Sequence, residues 1–80
     1  MRKFKKALIS GISGSGGSFL AEYILKNHKK TKVIGFYRKL RKENILNIKH
    51  KAKLIKCDMN NFDHVLKNIK KIKPDVIFHI

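Results

Sequence analysis

Disulfides, metal clusters and membrane spans are what this sequence lacks. It has a single cysteine, Cys57, which cannot pair within the chain and fits a reducing compartment. Placed where a strand should end, Cys57 reads as a small buried hydrophobe. His28, His50, His64 and His79 share no metal-ligand spacing with it, so no metal site is expected. No apolar run approaches the roughly 18–20 residues that cross a bilayer. The basic start Met1–Lys6 is followed by Ala7-Leu8-Ile9, too short for a signal-peptide core. With no export signal visible, a cytoplasmic location and no membrane partner are expected.

Acids are also scarce: five, against twenty lysines and arginines, for a formal net charge of +15. A balance this basic raises nucleic-acid binding. The cations, however, are nearly all lysine and fall in separate runs at 3–6, 29–32, 49–53 and 67–73. Nucleic-acid readers concentrate charge on one face and mix in arginine or stacking aromatics. A solvated lysine surface, with no nucleic-acid partner, is the expectation. The length of 80 residues permits only a modest core, and 42% hydrophobic residues argue for a folded chain.

Lys6–Ser10 is apolar on both faces and stops at glycines, as a buried parallel strand does. Ser18–Asn27 carries Leu20, Tyr23, Ile24 and Asn27 at helical spacing, with Phe19 beside them. Lys32–Tyr37 is β-branched and aromatic, a second strand. Leu40–Ile48 is weakly specified, a short helix or loop, and Ala52–Cys57 reads as a third strand. Phe62, Val65, Leu66, Ile69 and Ile72 then mark the cleanest helix, with Asn60 or Asn61 placed to cap it and Pro74 to end it. Asp75–Ile80 is a fourth strand, nearly all apolar. Strands joined by crossovers of this length run parallel, and right-handed crossovers give an α/β, doubly wound parallel sheet. A chain ending on a buried-type strand would expose an apolar edge, so these residues are expected to be a fragment of a longer protein.

The chemistry sits at the first turn. Gly11, Gly14 and Gly17 form G-x-x-G-x-x-G between a strand and a helix. Gly11 turns the chain off the strand, Gly14 admits a ligand to the backbone, and Gly17 brings the helix close. The helix N-terminus aims free N–H groups and its positive dipole end at a diphosphate. The candidate contacts are Gly11, Ile12, Ser13, Gly14, Ser15, Gly16 and Gly17, with the Ser13, Ser15 and Ser18 hydroxyls as supplements. Set in a repeated βα pattern, this predicts a Rossmann-type dinucleotide fold, of which the first four strands are present. Residues 1–80 then form the N-terminal part of that domain, without its substrate domain. A Walker phosphate loop is excluded, because no Gly-Lys-Ser/Thr follows.

NAD-preferring sites carry an acid about 20 residues downstream, for the ribose 2′-hydroxyl. Here Tyr37 holds that place and Arg38 follows, with Lys39 and Arg41 near. A guanidinium can pair with a 2′-phosphate, so NADP is expected; the competing reading is one more surface cation. Asp58, at the carboxyl end of the third strand, can accept from the adenine amino group, with Met59 against the ring; a plain helix-start acid is its alternative. His79 reads as a strand residue.

The stretch Ala7–Glu22 resembles the opening of the extended short-chain dehydrogenase/reductases, and within them the GDP-mannose 4,6-dehydratase family. Val33–Arg38 is similar to that family's second strand with its NADP-reading arginine, Cys57-Asp58-Met59 to its third strand end, and Lys73–Ile80 to its fourth. Two departures stand out: Ser15-Gly16 replaces Gln-Asp, and Ser10 replaces a threonine. The resemblance implies a nucleotide-sugar substrate such as GDP-mannose and a homo-oligomer at full length. It also implies a redox-neutral dehydration: hydride leaves C4 of the sugar, water is eliminated across C5 and C6, and hydride returns at C6. The family's Tyr-x-x-x-Lys pair has no match here, since Tyr23 is followed by Asn27 and Tyr37 by Arg41. No catalytic residue is therefore assigned. Sister activities, an epimerase or reductase, and a non-catalytic NADP(H) sensor are the alternatives.

Overall fold

A computed structural model describes residues 4–80. The elements are β1 (Lys6–Ser10), α1 (Ser15–Asn27), β2 (Lys32–Tyr37), α2 (Lys42–Ile45), β3 (Lys53–Lys56), α3 (Phe62–Ile72) and β4 (Val76–His79). The four strands form one sheet in the order β3-β2-β1-β4, and every pairing is parallel. The expected α/β order is thus present, and the helices cover both faces. Ala21 and Ile24 of α1 and Ile45 of α2 pack with Ala7, Ile9 and Val33 on one face. Leu8, Ile34, Phe36 and Cys57 meet Val65, Ile69 and Ile72 of α3 on the other. The alternation along β1 explains this split, because successive side chains point to opposite faces. Burying a side chain such as Leu8 or Phe36 contributes about 1.5–3 kcal/mol, so the central strands hold most of the core.

Three differences from the sequence expectations have simple causes. Helix α1 starts at Ser15, not Ser18, so two glycines lie in its first turn. Low helical propensity hides such a start, while close packing at Gly17 requires it. Its buried stripe is Gly17, Ser18, Ala21 and Ile24, whereas Phe19 and Tyr23 are exposed. Strand β4 is an edge strand with only half its residues shielded, and Ile77 is exposed. The apolar run there was a guide to strand type, not to burial.

Helix α3 forms over the expected residues. The Asn61 side chain accepts from the His64 N–H at 3.2 Å, making Asn61 the cap. Its last turn closes through the Lys73 N–H on the Ile69 carbonyl, with Lys73 in the left-handed region at φ 54° before Pro74. Among the described residues, no helix is long and apolar enough to cross a membrane.

Candidate dinucleotide site at the carboxyl edge

Because all strands run parallel, their carboxyl ends gather on one edge, where ligands of such sheets lie. Four segments meet there: the turn after β1, the loop after β2, Asp58-Met59 after β3, and His79-Ile80 at β4.

Gly11 has φ +69°, the left-handed conformation that favours glycine, and its carbonyl accepts from the Gly14 N–H at 3.1 Å. Gly14 then takes the N-cap position without any side-chain cap. A Cβ on Gly17 would drive into the Gly11 carbonyl, and would lie 2.9 Å from Ile12 Cα. The helix therefore sits directly on the turn. The Ser18 N–H reaches the Gly14 carbonyl at 2.9 Å, but no acceptor among the described residues meets the N–H groups of Ser15, Gly16 and Gly17. No acid lies in the first turn of α1 to compete with an incoming anion. These features fit a dinucleotide's diphosphate: free donors, a favourable dipole and glycine backbone at the point of approach.

The serine hydroxyls are not all aimed at that space. Ser13 is buried and its Oγ donates to the Lys39 carbonyl at 2.7 Å. Ser18 is buried too and donates to the Ser15 carbonyl at 3.2 Å. Of the three, Ser15 alone is exposed. What remains of the expected Ser13 contribution is its backbone. Ile12 is likewise fully buried, and its N–H donates to the Phe36 carbonyl at 3.1 Å.

These bonds tie the turn to the end of β2. Asn44 of α2 adds a third, donating from Nδ2 to the Ser13 carbonyl at 3.0 Å. Arg38 is exposed and stands next to the Lys39 whose carbonyl Ser13 holds. The segment that carries the guanidinium is thus fixed to the turn by hydrogen bonds across 26 and 31 residues.

Asp58 follows the Cys57 N–H bond to the Tyr37 carbonyl (2.9 Å), which sets it beside the end of β2. Its Oδ1 accepts from the Asn60 N–H at 2.9 Å, shaping the entry to α3. Met59 is half-exposed. Burial pushes the Cys57 thiol above its ordinary range, and the Asp58 charge adds to this, against a hydrogen bond with Asn68. The cysteine is a buried, protonated core group, as its position suggested.

Three residues were given no positioning role from sequence. Gly35, in the middle of β2, has no room for a side chain: a Cβ there would meet Ile12 Cβ and Cγ2 at 2.5 Å. A glycine inside a strand run was the available signal for close approach. Asn44 carried no signal. Ser10 Oγ lies 2.6 Å from His79 Nδ1 and accepts from the Ile80 N–H at 3.3 Å, pinning β4 to β1 beside the turn. Ile80 in turn stands beside Gly16 and Gly11, both still exposed: a Cβ on Gly16 would lie 3.3 Å from Ile80 Cγ2.

A parallel sheet covered on both faces, with a glycine turn and free helix N–H groups at its carboxyl edge, defines a Rossmann-type α/β protein. Residues 7–80 match the NAD dependent epimerase/dehydratase family, and the chain belongs to it. It is 34% identical over 87 residues to the GDP-mannose 4,6 dehydratase of Drosophila melanogaster, covering 95% of this chain and 22% of that protein. Among solved structures, it is similar to the ADP-L-glycero-D-manno-heptose-6-epimerase of Helicobacter pylori, with TM-score 0.81 and 29% identity over 99% of this chain and 29% of that one. It is similar also to the Bordetella bronchiseptica enzyme WbmH, solved in complex with NAD+, with TM-score 0.79 and 28% identity over 95% of this chain and 25% of that one. The chain spans about a quarter of the length of the curated relatives it matches.

Proposed function

We propose that this chain is the NADP-binding part of a nucleotide-sugar-modifying enzyme, and that the enzyme is a GDP-mannose 4,6-dehydratase. The observation that carries the reading is the junction of the glycine turn with the Arg38 segment, held together by the Ser13–Lys39 and Asn44–Ser13 bonds. Free N–H groups for a diphosphate and a guanidinium for a 2′-phosphate then lie on one rigid unit. The free N–H groups of Ser15, Gly16 and Gly17 hold the diphosphate over the backbone of Gly11, Ser13 and Gly14, Ile12 anchors the turn to β2 instead of touching the ligand, and Arg38 reads the 2′-phosphate. Asp58 offers its second carboxylate oxygen to the adenine amino group, and Met59 an apolar contact to the ring. Bound NADP supplies hydride acceptance and return; this chain's residues bind and orient it. Residues 1–80 form the first part of the cofactor domain, and the sugar-binding and catalytic groups lie elsewhere in the protein. A cytoplasmic homo-oligomer is part of the same reading.

Identity to the Drosophila dehydratase supports GDP-mannose as substrate. An epimerase is the second reading, favoured by the likeness to the Helicobacter epimerase. Incubation of the natural protein with GDP-mannose separates them: a 4-keto-6-deoxy product supports the dehydratase, and an epimerised sugar with C6 intact refutes it. Calorimetry tests the cofactor assignment. Arg38→Ala should weaken NADP binding about tenfold or more, the loss of a charge-assisted phosphate contact, and leave NAD binding nearly unchanged. Equal losses for the two cofactors would remove Arg38 from the site.

A further inference from the structure

The lysine runs that lie apart in sequence do not stay apart in the fold. At the amino edge of the sheet, opposite the glycine turn, lies a cavity of about 720 Å³. Lys6, Lys29, Lys32, Lys51, Lys53 and Lys71 line it, at least one from each of the four runs. Parallel topology is the cause. Lys6, Lys32 and Lys53 each open a strand, and α1 and α3 end on that same edge, bringing Lys29 and Lys71 with them.

None of the five acids lines this cavity. Asp75 lies at the same edge, but its Oδ2 accepts the Lys5 and Lys6 N–H groups at 2.7 and 2.8 Å, clasping β1. Lys6 Nζ donates to the Ile72 carbonyl at 3.0 Å, which orients one ammonium group at the wall. The floor is aliphatic, from Leu25, Ile34, Ile55 and Ile72. A concave surface lined by one sign of charge focuses its potential, and crowded like charges are relieved by a bound counter-charge. The volume falls in the range of small-molecule sites.

We propose that this cavity binds a small organic ligand carrying a multiply charged phosphate, its phosphates on the lysine rim and its apolar part on the floor. Lysine meets phosphate as a point charge without the fork geometry of arginine, so the site selects for charge number over shape. A nucleic acid fits less well: among the described residues, the lining has no arginine and no aromatic for bases to stack on. The proposal is independent of the dinucleotide reading, because the two sites occupy opposite edges of the sheet.

The test is titration of the natural protein with inorganic pyrophosphate, with and without saturating NADPH. Pyrophosphate should bind in both cases. Lys53→Gln/Lys71→Gln should raise its Kd about tenfold, as expected for loss of charge-assisted contacts. Lys26→Gln/Lys67→Gln removes the same charge from exposed positions outside the cavity and should change Kd far less. If substitution at Lys53 unfolds the edge strand, Lys29→Gln/Lys51→Gln, which alters no strand residue, carries the same expectation. Absence of pyrophosphate binding, equal losses from the cavity and control pairs, or displacement by NADPH would overturn the proposal. So would binding of a random DNA duplex that needs Lys53 and Lys71 and resists competition by pyrophosphate.

Discussion

The two edges of the sheet are built by opposite means. At the carboxyl edge, backbone does the positioning: Gly11 at positive φ, Gly17 against the Gly11 carbonyl, and unpaired N–H groups at the start of α1. At the amino edge, long side chains from four segments surround a cavity, and the one positive-φ position there among the described residues is filled by Lys73. The first edge leaves no room for a side chain at Gly17 and strains one at Gly11, because close backbone contact and a positive φ set those two positions. The second draws on six lysines, so the loss of any one should weaken the proposed ligand site only in part.

Substitution at Gly17 should break the carboxyl edge most severely. An added Cβ collides with the Gly11 carbonyl and Ile12 Cα, both backbone, which no rotamer change relieves. Gly17→Ala should cost about 3 kcal/mol or more, at the upper end of overpacking penalties, and abolish dinucleotide binding. Urea denaturation and calorimetry of the natural protein measure the two effects. Wild-type stability in this variant would mean that α1 does not rest on the turn. By contrast, no single lysine replacement at the amino edge should approach that loss.

This contrast also decides what could be read from the sequence. The carboxyl-edge turn was legible because its constraint is local: three glycines between an apolar strand and a helix fall within seven residues. The succession of strands and helices along the chain and the α3 boundaries were legible for the same reason, through periodicity and the flanking Asn60-Asn61 and Pro74. The ties from Ser13 to Lys39 and from Asn44 to Ser13 were not, since they depend on how β2 and α2 return beside the turn. The lysine cavity was hidden more deeply. Separation along the chain suggested dispersed charge, and only the parallel crossovers carry the runs to a common edge.

An intermediate effect should come from the tie itself. Ser13→Ala removes the hydroxyl bonded to the Lys39 carbonyl, leaving that part-buried contact unmade for about 1 kcal/mol. The glycine turn stays intact, so NAD affinity should hold. NADP affinity should fall, because the segment bearing Arg38 loses one of its anchors. Parallel titrations with both cofactors check this. A uniform loss would place the Ser13 hydroxyl among the direct ligand contacts and weaken the positioning role argued for it.

The smallest expected effect lies at the amino edge and has the opposite sign. Lys73 sits at φ 54°, where its N–H closes α3 on the Ile69 carbonyl at 2.8 Å. Left-handed backbone is costly for a residue with a Cβ, and helices commonly place glycine there. Gly11 meets the same demand at the other edge with the residue type suited to it. Lys73→Gly should therefore stabilise the protein by about 0.5–1 kcal/mol, the relief of conformational strain less the added freedom of the unfolded chain. Lys73 is not among the lysines of the cavity, so pyrophosphate affinity should change little. A destabilised Lys73→Gly variant in chemical denaturation would mean that the lysine side chain contributes more to this helix end than its backbone costs. The amino edge would then depend on specific side-chain contacts, as the carboxyl edge depends on backbone ones.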